Sequence, residues 1–269
     1  MKKSISITLT IALFAALFAY FLAFAPMALA EAPVETAAPT EPVEYTPVII
    51  GVQEQVHVST VDELLAALKP DTEIILDAEF YDLSTATGYG ETDGEYYRWQ
   101  EVFDGVQLTI HDLSNLTIRA EGDDVKEHTV SATPRYAHVL NFENCSDIML
   151  EGFTAGHTIE PAYCAGGVIS FANCENTLVN NCGLYGCGVV GVWAEHSKDI
   201  QVTNCDIYEC SWGGIYMVTC LDVTFNGNTI RDLGEEFMGT WNEGTPFMLH
   251  DTKNITINGE KMPNSYIGN

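Results

Sequence analysis

One repeat constrains this chain more than any other feature. Five windows superpose without gaps: CSDIMLEGF from Cys145, CENTLVNNC from Cys174, SKDIQVTNC from Ser197, CLDVTFNGN from Cys220 and TKNITINGE from Thr252. An earlier sixth, LSNLTIRAE, starts at Leu113. Successive starts lie 32, 29, 23, 23 and 32 residues apart, which is one 23-residue coil with six or nine residues added in places. A fixed period in this range is the signature of a stacked repeat architecture.

Each window alternates in polarity. Ile148 and Leu150, Ile200 and Val202, Val223 and Phe225, and Ile255 and Ile257 point one way, while Met149, Gln201, Thr224 and Thr256 point the other. That period belongs to a half-buried strand. Asp147, Asn176, Asp199, Asp222 and Asn254 form a column just before it and supply turn chemistry.

Upstream, Leu140, Ile169, Val192, Ile215 and Phe247 make one inward column, and Phe142, Phe171, Ala194, Met217 and Leu249 the next. A third short strand carries Ala155, Leu184, Ile207 and Ile230 inward. Three short strands per coil, each about 4.8 Å from its own copy, predict an all-β parallel β-helix, a β-solenoid. At its start, Thr60-Val61-Asp62-Glu63 is a capping box that opens a short helix over Val61–Lys69, stopped by Pro70. That helix is expected to cap the first coil, with Glu73–Asp77 as the first strand. The chain stops soon after the last coil with no evident cap, so either the tail folds back, a partner covers the end, or the sequence is truncated.

The remaining segments set the context. Lys2 and Lys3, the apolar run Ile5–Ala25 and Ala28-Leu29-Ala30 read as a secretory signal peptide over residues 1–30. The run is also long enough, at ~20 residues, for an uncleaved membrane anchor. Residues 31–47 are a Pro/Glu/Thr-rich spacer, and 48–269 form the β-helix domain. With 38 acidic against 11 basic residues, the surface repels nucleic acid, anionic membranes and polyanionic glycans. The signal peptide makes the expected location extracellular, and the acidic balance reads as a soluble extracellular surface, or more sharply as Ca²⁺ sites or neutral substrates.

These patterns, with the entry VSTVDELLAALKPDTEIIL…YDLS, resemble the pectate-lyase-like superfamily of right-handed parallel β-helices. The resemblance spans roughly residues 48–259. It implies a right-handed stack with a short N-terminal capping helix, and an asparagine ladder on Asn144 and Asn173, with Asp112, His196, Thr219 and Asp251 in the same turn column. Val192-Trp193-Ala194-Glu195-His196 is similar to the V-W-I-D-H motif of pectate lyases, with Glu for Asp. The R-x-P-x-x-R segment of that family and the N-T-D, G-H-G and R-I-K segments of polygalacturonases are absent. A typical pectinase is thereby disfavoured, and whether the chain is an enzyme at all stays open between a polysaccharide hydrolase or lyase and none.

Eight cysteines in an exported chain suggest disulfides. Here they fall into columns: Cys164, Cys187 and Cys210; Cys145, Cys174 and Cys220; Cys182 and Cys205. Parallel side chains strain a bond between coils, so reduced buried ladders are expected.

Insertions at about 126–134, 158–163 and 233–241 are expected at a single corner, walling a notch. Its floor is the outward column Thr109, Asn141, Ser170, Trp193, Tyr216, Met248, with His111, Glu143, Ala172, Glu195, Val218, His250 beside it. Trp193 and Tyr216 could stack on a sugar, with Asn141 and His250 hydrogen-bonding it; they could equally form a structural ladder. Glu143 and Glu195, two coils or about 10 Å apart, suit an inverting pair of ~6.5–9.5 Å. His157 and Glu160 form a second acid/base or metal-binding candidate, with His138 nearby. Tyr97 and Trp99, in the acidic aromatic stretch from Gly88, read as a ligand-gripping lid or as packing over the first coils. Glu91, Asp93 and Glu95 there offer oxygens for Ca²⁺, without an EF-hand pattern; no cofactor is certain. Two functions follow, and it is the resemblance that points to carbohydrate: binding of a neutral polysaccharide or cell-surface glycan, with cleavage as a further option, or a non-catalytic surface or adhesion module.

Overall fold

The computed structural model describes residues 51–122, 124–158, 165–186, 189–237 and 240–269. The signal peptide, the spacer, Glu160, Cys164 and Cys187 lie outside these residues. No described helix is long and apolar enough to cross a membrane.

Three sheets run along one stack, with nine, eight and six strands among the described residues. One coil visits each sheet once. Val190–Glu195 lies in the eight-stranded sheet, Lys198–Thr203 in the nine-stranded sheet and Asp206–Tyr208 in the six-stranded sheet. Neighbouring coils pair in parallel and in the register the repeat demands: Ile169 with Leu140 and Val192, Trp193 with Tyr216, Ile200 with Val223, and Leu184 with Ala155 and Ile207. The inward columns fill the core. Phe142 stacks on Phe171 at 5.4 Å, and both are fully buried.

Turns between the strands follow from residue chemistry. Asp112, Asn144, Asn173, His196, Thr219 and Asp251 all take left-handed backbone, with φ between 47° and 56°. Asn115, Asp147, Asn176, Asp199, Asp222 and Asn254 do the same at the next turn, with φ between 54° and 58°. Asn and Asp tolerate this region best among residues with a side chain. The first column is only partly an amide ladder, since Asn144 Nδ2 donates to Asp112 Oδ1 at 3.2 Å but His196 and Thr219 interrupt it.

Helix α1, Val61–Ala67, is capped as the sequence requires: Thr60 Oγ1 accepts from Glu63 N at 3.2 Å, and the Glu63 carboxylate reaches Ser59 N at 2.7 Å. It is not preceded by open chain. The strand Glu54–Val58 comes before it and pairs with Thr72–Leu76, so the expected first strand is the second. The far end is closed by the tail. Glu260–Met262 and Ile267–Gly268 turn back antiparallel against Lys253–Ile257 and Thr245–His250.

The insertions do not share one corner. Residues Thr129–Ala132 are themselves a strand of the six-stranded sheet, so the extra length there lies before it, around the turn Val125–Glu127. Residues 159–163 of the second insertion lie outside the described residues, and the described part of the last one forms an antiparallel hairpin of Gly234–Phe237 and Thr240–Glu243.

All six described cysteines are free thiols in the core. Burial pushes Cys210 up to about 12 and Cys220 up to about 11, which leaves inert thiols rather than nucleophiles.

Candidate functional site

The outward face of the eight-stranded sheet carries a run of rings along the stack. Trp193 and Tyr216 sit side by side on neighbouring coils, with centroids 4.5 Å apart and planes tilted by 53°. His138 meets Trp193 edge-on at 5.8 Å. Trp212 stacks on Tyr216 at 5.9 Å, and His250 packs against it at 5.7 Å. Register alone brings Trp193, Tyr216 and His250 together, because the coils between them are 23 and 32 residues long without loss of phase.

Trp212 and His138 stand in the corners that lead into the strands, where no periodic signal marked their direction. Their positions depend on the corner backbone. Trp212 N donates to Val189 O, and Gly167 N donates to His138 Nδ1 at 2.9 Å. A side chain at Gly167 would crowd His138 Nδ1 and Val190, so the glycine leaves the space His138 fills.

The carboxylates frame this run. Glu143 and Glu195 both pair with Ala172, so they face each other across one small residue, two coils or about 10 Å apart. Neither is free. Glu195 Oε1 accepts the Trp193 indole N–H at 2.9 Å. Glu143 is ion-paired with Arg98 and accepts from Asn141 Nδ2 at 3.1 Å. Arg98 reaches it from the strand Tyr97–Val102, which runs antiparallel to Gly105–His111.

Other candidates move away from a ligand. Asn141 is only 4% exposed, its amide spent on Glu143 and on Thr109 Oγ1. His157 is 2% exposed: its Nε2–H donates to Ala137 O at 3.0 Å, and its Nδ1 has no partner. Burial, partly offset by that bond and by Asp104, holds its pKa below the usual histidine value. A buried neutral imidazole held on a backbone carbonyl is a structural group. Trp99 is 8% exposed and packs edge-on against Tyr89 at 4.8 Å, while Tyr97 lies against the same core. Tyr97 and Trp99 thus belong to the sheet's terminal strand, Tyr97–Val102, and with Tyr89 and Tyr96 they pack on the core of the first coils rather than forming a lid. Asp93, one of the proposed Ca²⁺ oxygens, instead accepts Trp99 N–H at 2.8 Å. Among the described residues no three His, Cys, Asp or Glu side chains converge on a metal position.

Two titrations bear on the run of rings. Burial, then the neighbouring His157, lowers His138 to about 4, so the ring that accepts the Gly167 N–H is neutral. Burial and Glu195 raise the Tyr216 phenol, which stays protonated as a donor. The arrangement therefore offers aromatic faces, two fixed carboxylates and a phenol. It suits stacking and hydrogen bonding to a polyhydroxylated ligand.

No curated protein matches the chain. Among solved structures, a pectate lyase from Paenibacillus sp. 0602 is similar at 12% identity and a TM-score of 0.32, covering 64% of this chain and 36% of its own. A proposed glycosyl hydrolase from Parabacteroides merdae ATCC 43184 is similar at 14% identity and a TM-score of 0.33, covering 61% of this chain and 83% of its own. The family model for the right-handed beta helix region matches residues 109–261, more than half of the chain. With its stacked parallel sheets and in-register columns, the chain belongs to the right-handed β-helix family.

Proposed function

We propose that this is an exported protein that binds a neutral extracellular polysaccharide on the outward face of the eight-stranded sheet. The carrying observation is the ring series His138–Trp193–Tyr216, flanked by Trp212 and His250, beside a carboxylate locked onto the Trp193 indole. Apolar faces stack on sugar rings while the fixed oxygens take their hydroxyls. The acidic surface excludes polyanionic ligands by long-range repulsion.

Binding without cleavage is the reading favoured for Glu143, because both its oxygens are engaged within the protein, Oε2 by the Arg98 guanidinium and Oε1 by Asn141 Nδ2. Cleavage by the Glu143/Glu195 pair is the second reading, supported by their spacing across Ala172. A glycan array on the secreted chain, with and without Ca²⁺, tests the proposal, together with a reducing-end assay on any glycan retained. Retention is expected on neutral glycans, weakened about tenfold per ring in Trp193→Ala and Tyr216→Ala, or about 1.4 kcal/mol each. No retention across the array, or unchanged retention in both variants, overturns it.

A further inference from the structure

The outward face of the nine-stranded sheet holds a concavity of about 530 Å³, on a different sheet from the run of rings. Its floor repeats one polar pattern over three coils. Gln201, Thr224 and Thr256 pair in register, one coil apart. The turn residues Asp199, Asp222 and Asn254 border them, all in left-handed backbone that holds the side chains at the rim. The returning strand Glu260–Met262 supplies the wall, with Thr256 paired to Lys261.

This polar floor is local. Two coils earlier the same outward position is Met149, and in the coil between it is Leu178, fully buried. The groove thus exists only where polar columns meet the folded-back tail, and it contains no aromatic ring.

Its donor and acceptor content defines the ligand. Amides and hydroxyls can each serve as donor or acceptor. Asp222 Oδ1 already accepts from Asn254 Nδ2 at 2.7 Å, and Asp199 lies 3.4 Å from Lys198 Nζ, so the carboxylates are fixed acceptors. Lys261 makes no ion pair among the described residues and supplies a charged donor. Two carboxylates facing one ammonium, on a chain of net charge −27, disfavour an anion. A volume of this size lies within the range of small-molecule sites, which run to about 300–1,000 Å³. Their walls are usually apolar; here only Ile255 and Met262 are, against eight polar or charged residues.

We propose that this groove is a second, hydrogen-bonding subsite for one or two units of a neutral saccharide, independent of the run of rings. Two such sites on neighbouring faces let one polymer engage twice, which raises avidity without new contacts.

The test is side-chain amide NMR on the secreted chain, titrated with glucose, galactose, mannose, xylose and cellobiose. At least one of these is expected to shift the amide signals of Gln201, Asn254 and Asn264. The shifts persist in the Trp193→Ala/Tyr216→Ala double variant and fall at least tenfold in apparent affinity in Thr224→Val/Lys261→Met, whose backbone spectrum confirms folding. If all five sugars leave those three amides unmoved, or if Thr224→Val/Lys261→Met titrates like the parent, the subsite is refuted. Shifts confined to residues around Trp193 refute it while supporting the first site. Amide shifts in the groove, with the array result unchanged by Trp193→Ala and Tyr216→Ala, do the reverse.

Discussion

Two faces of this solenoid carry stacked aromatic side chains, and only one has the form of a platform. On the six-stranded sheet, Tyr185 and Tyr208 lie nearly parallel, 5.7 Å apart with an interplanar angle of 14°. Each side of that pair is closed. Tyr185 covers the coil before it, where a side chain at Gly156 would collide with its ring, and the Arg231 guanidinium sits 4.4 Å over Tyr208. Arg231 is itself pinned by Asp206 through Nε at 3.0 Å and Nη2 at 2.8 Å. On the eight-stranded sheet Trp193 and Tyr216 are tilted by 53° while Trp212 stacks on Tyr216 at 26°, and the run is bordered by carboxylates rather than capped by a cation. Outward aromatics at one-coil spacing are therefore not enough to name a site. What closes the ends of the ladder decides whether its faces serve the fold or a ligand.

The largest effect that separates the two faces is on stability. Tyr185→Ala with Tyr208→Ala is expected to cost roughly 2–4 kcal/mol, scaled down for half-buried rings from the ~3–5 kcal/mol of a fully buried aromatic. A urea midpoint measures it, and glycan retention is expected to stay at the parental level. A double variant with an unchanged midpoint would show that this ladder is no more structural than the other.

The next effect is on pH. His138 packs against Trp193 of the eight-stranded face and titrates at about 4 in the fold against about 6.5 unfolded. The folded state then binds fewer protons, so its contribution is complete above pH 6.5 and is lost as pH falls through that window towards 4. In His138→Gln, whose amide oxygen still accepts the Gly167 N–H, the loss of stability between pH 6.5 and 4 is expected to be shallower than in the parent. Identical slopes in urea melts would remove His138 from the account. No comparable change is expected on adding Arg231→Ala.

The smallest effect lies in the turn that joins the eight-stranded sheet to the nine-stranded one. Thr219 is β-branched in left-handed backbone at φ 56°, in a column otherwise filled mainly by Asp and Asn. Thr219→Asn is expected to gain ~1 kcal/mol, since left-handed backbone costs an ordinary residue about that much. The gain should appear equally in the parent and in either aromatic double variant. A gain that depends on the aromatic background would couple the turn to one face.

Much of this was legible in the residues, for a physical reason. Stacking at one spacing converts sequence period into spatial neighbours, so the pairing of Trp193 with Tyr216 and of Ile200 with Val223 follows from phase alone. The same logic fails off the repeat. Arg98 reaches Glu143 from an antiparallel strand that belongs to no coil, 45 residues earlier. Trp212 and His138 sit in corners whose backbone path the period does not set. The tail strands cap the far end by reversing direction, which no parallel repeat can announce. Tyr185, Tyr208 and Arg231, by contrast, pair in register at 23-residue steps, so the cation that closes this ladder lies on the repeat itself.

The most direct test sets the two double variants against one neutral glycan by calorimetric titration, with melting followed in the same samples. Trp193→Ala/Tyr216→Ala should bind about a hundredfold more weakly while melting close to the parent; Tyr185→Ala/Tyr208→Ala should bind like the parent while melting earlier. Parental binding by the first variant, or equal loss of binding in both, would contradict the assignment of the ligand to the eight-stranded face.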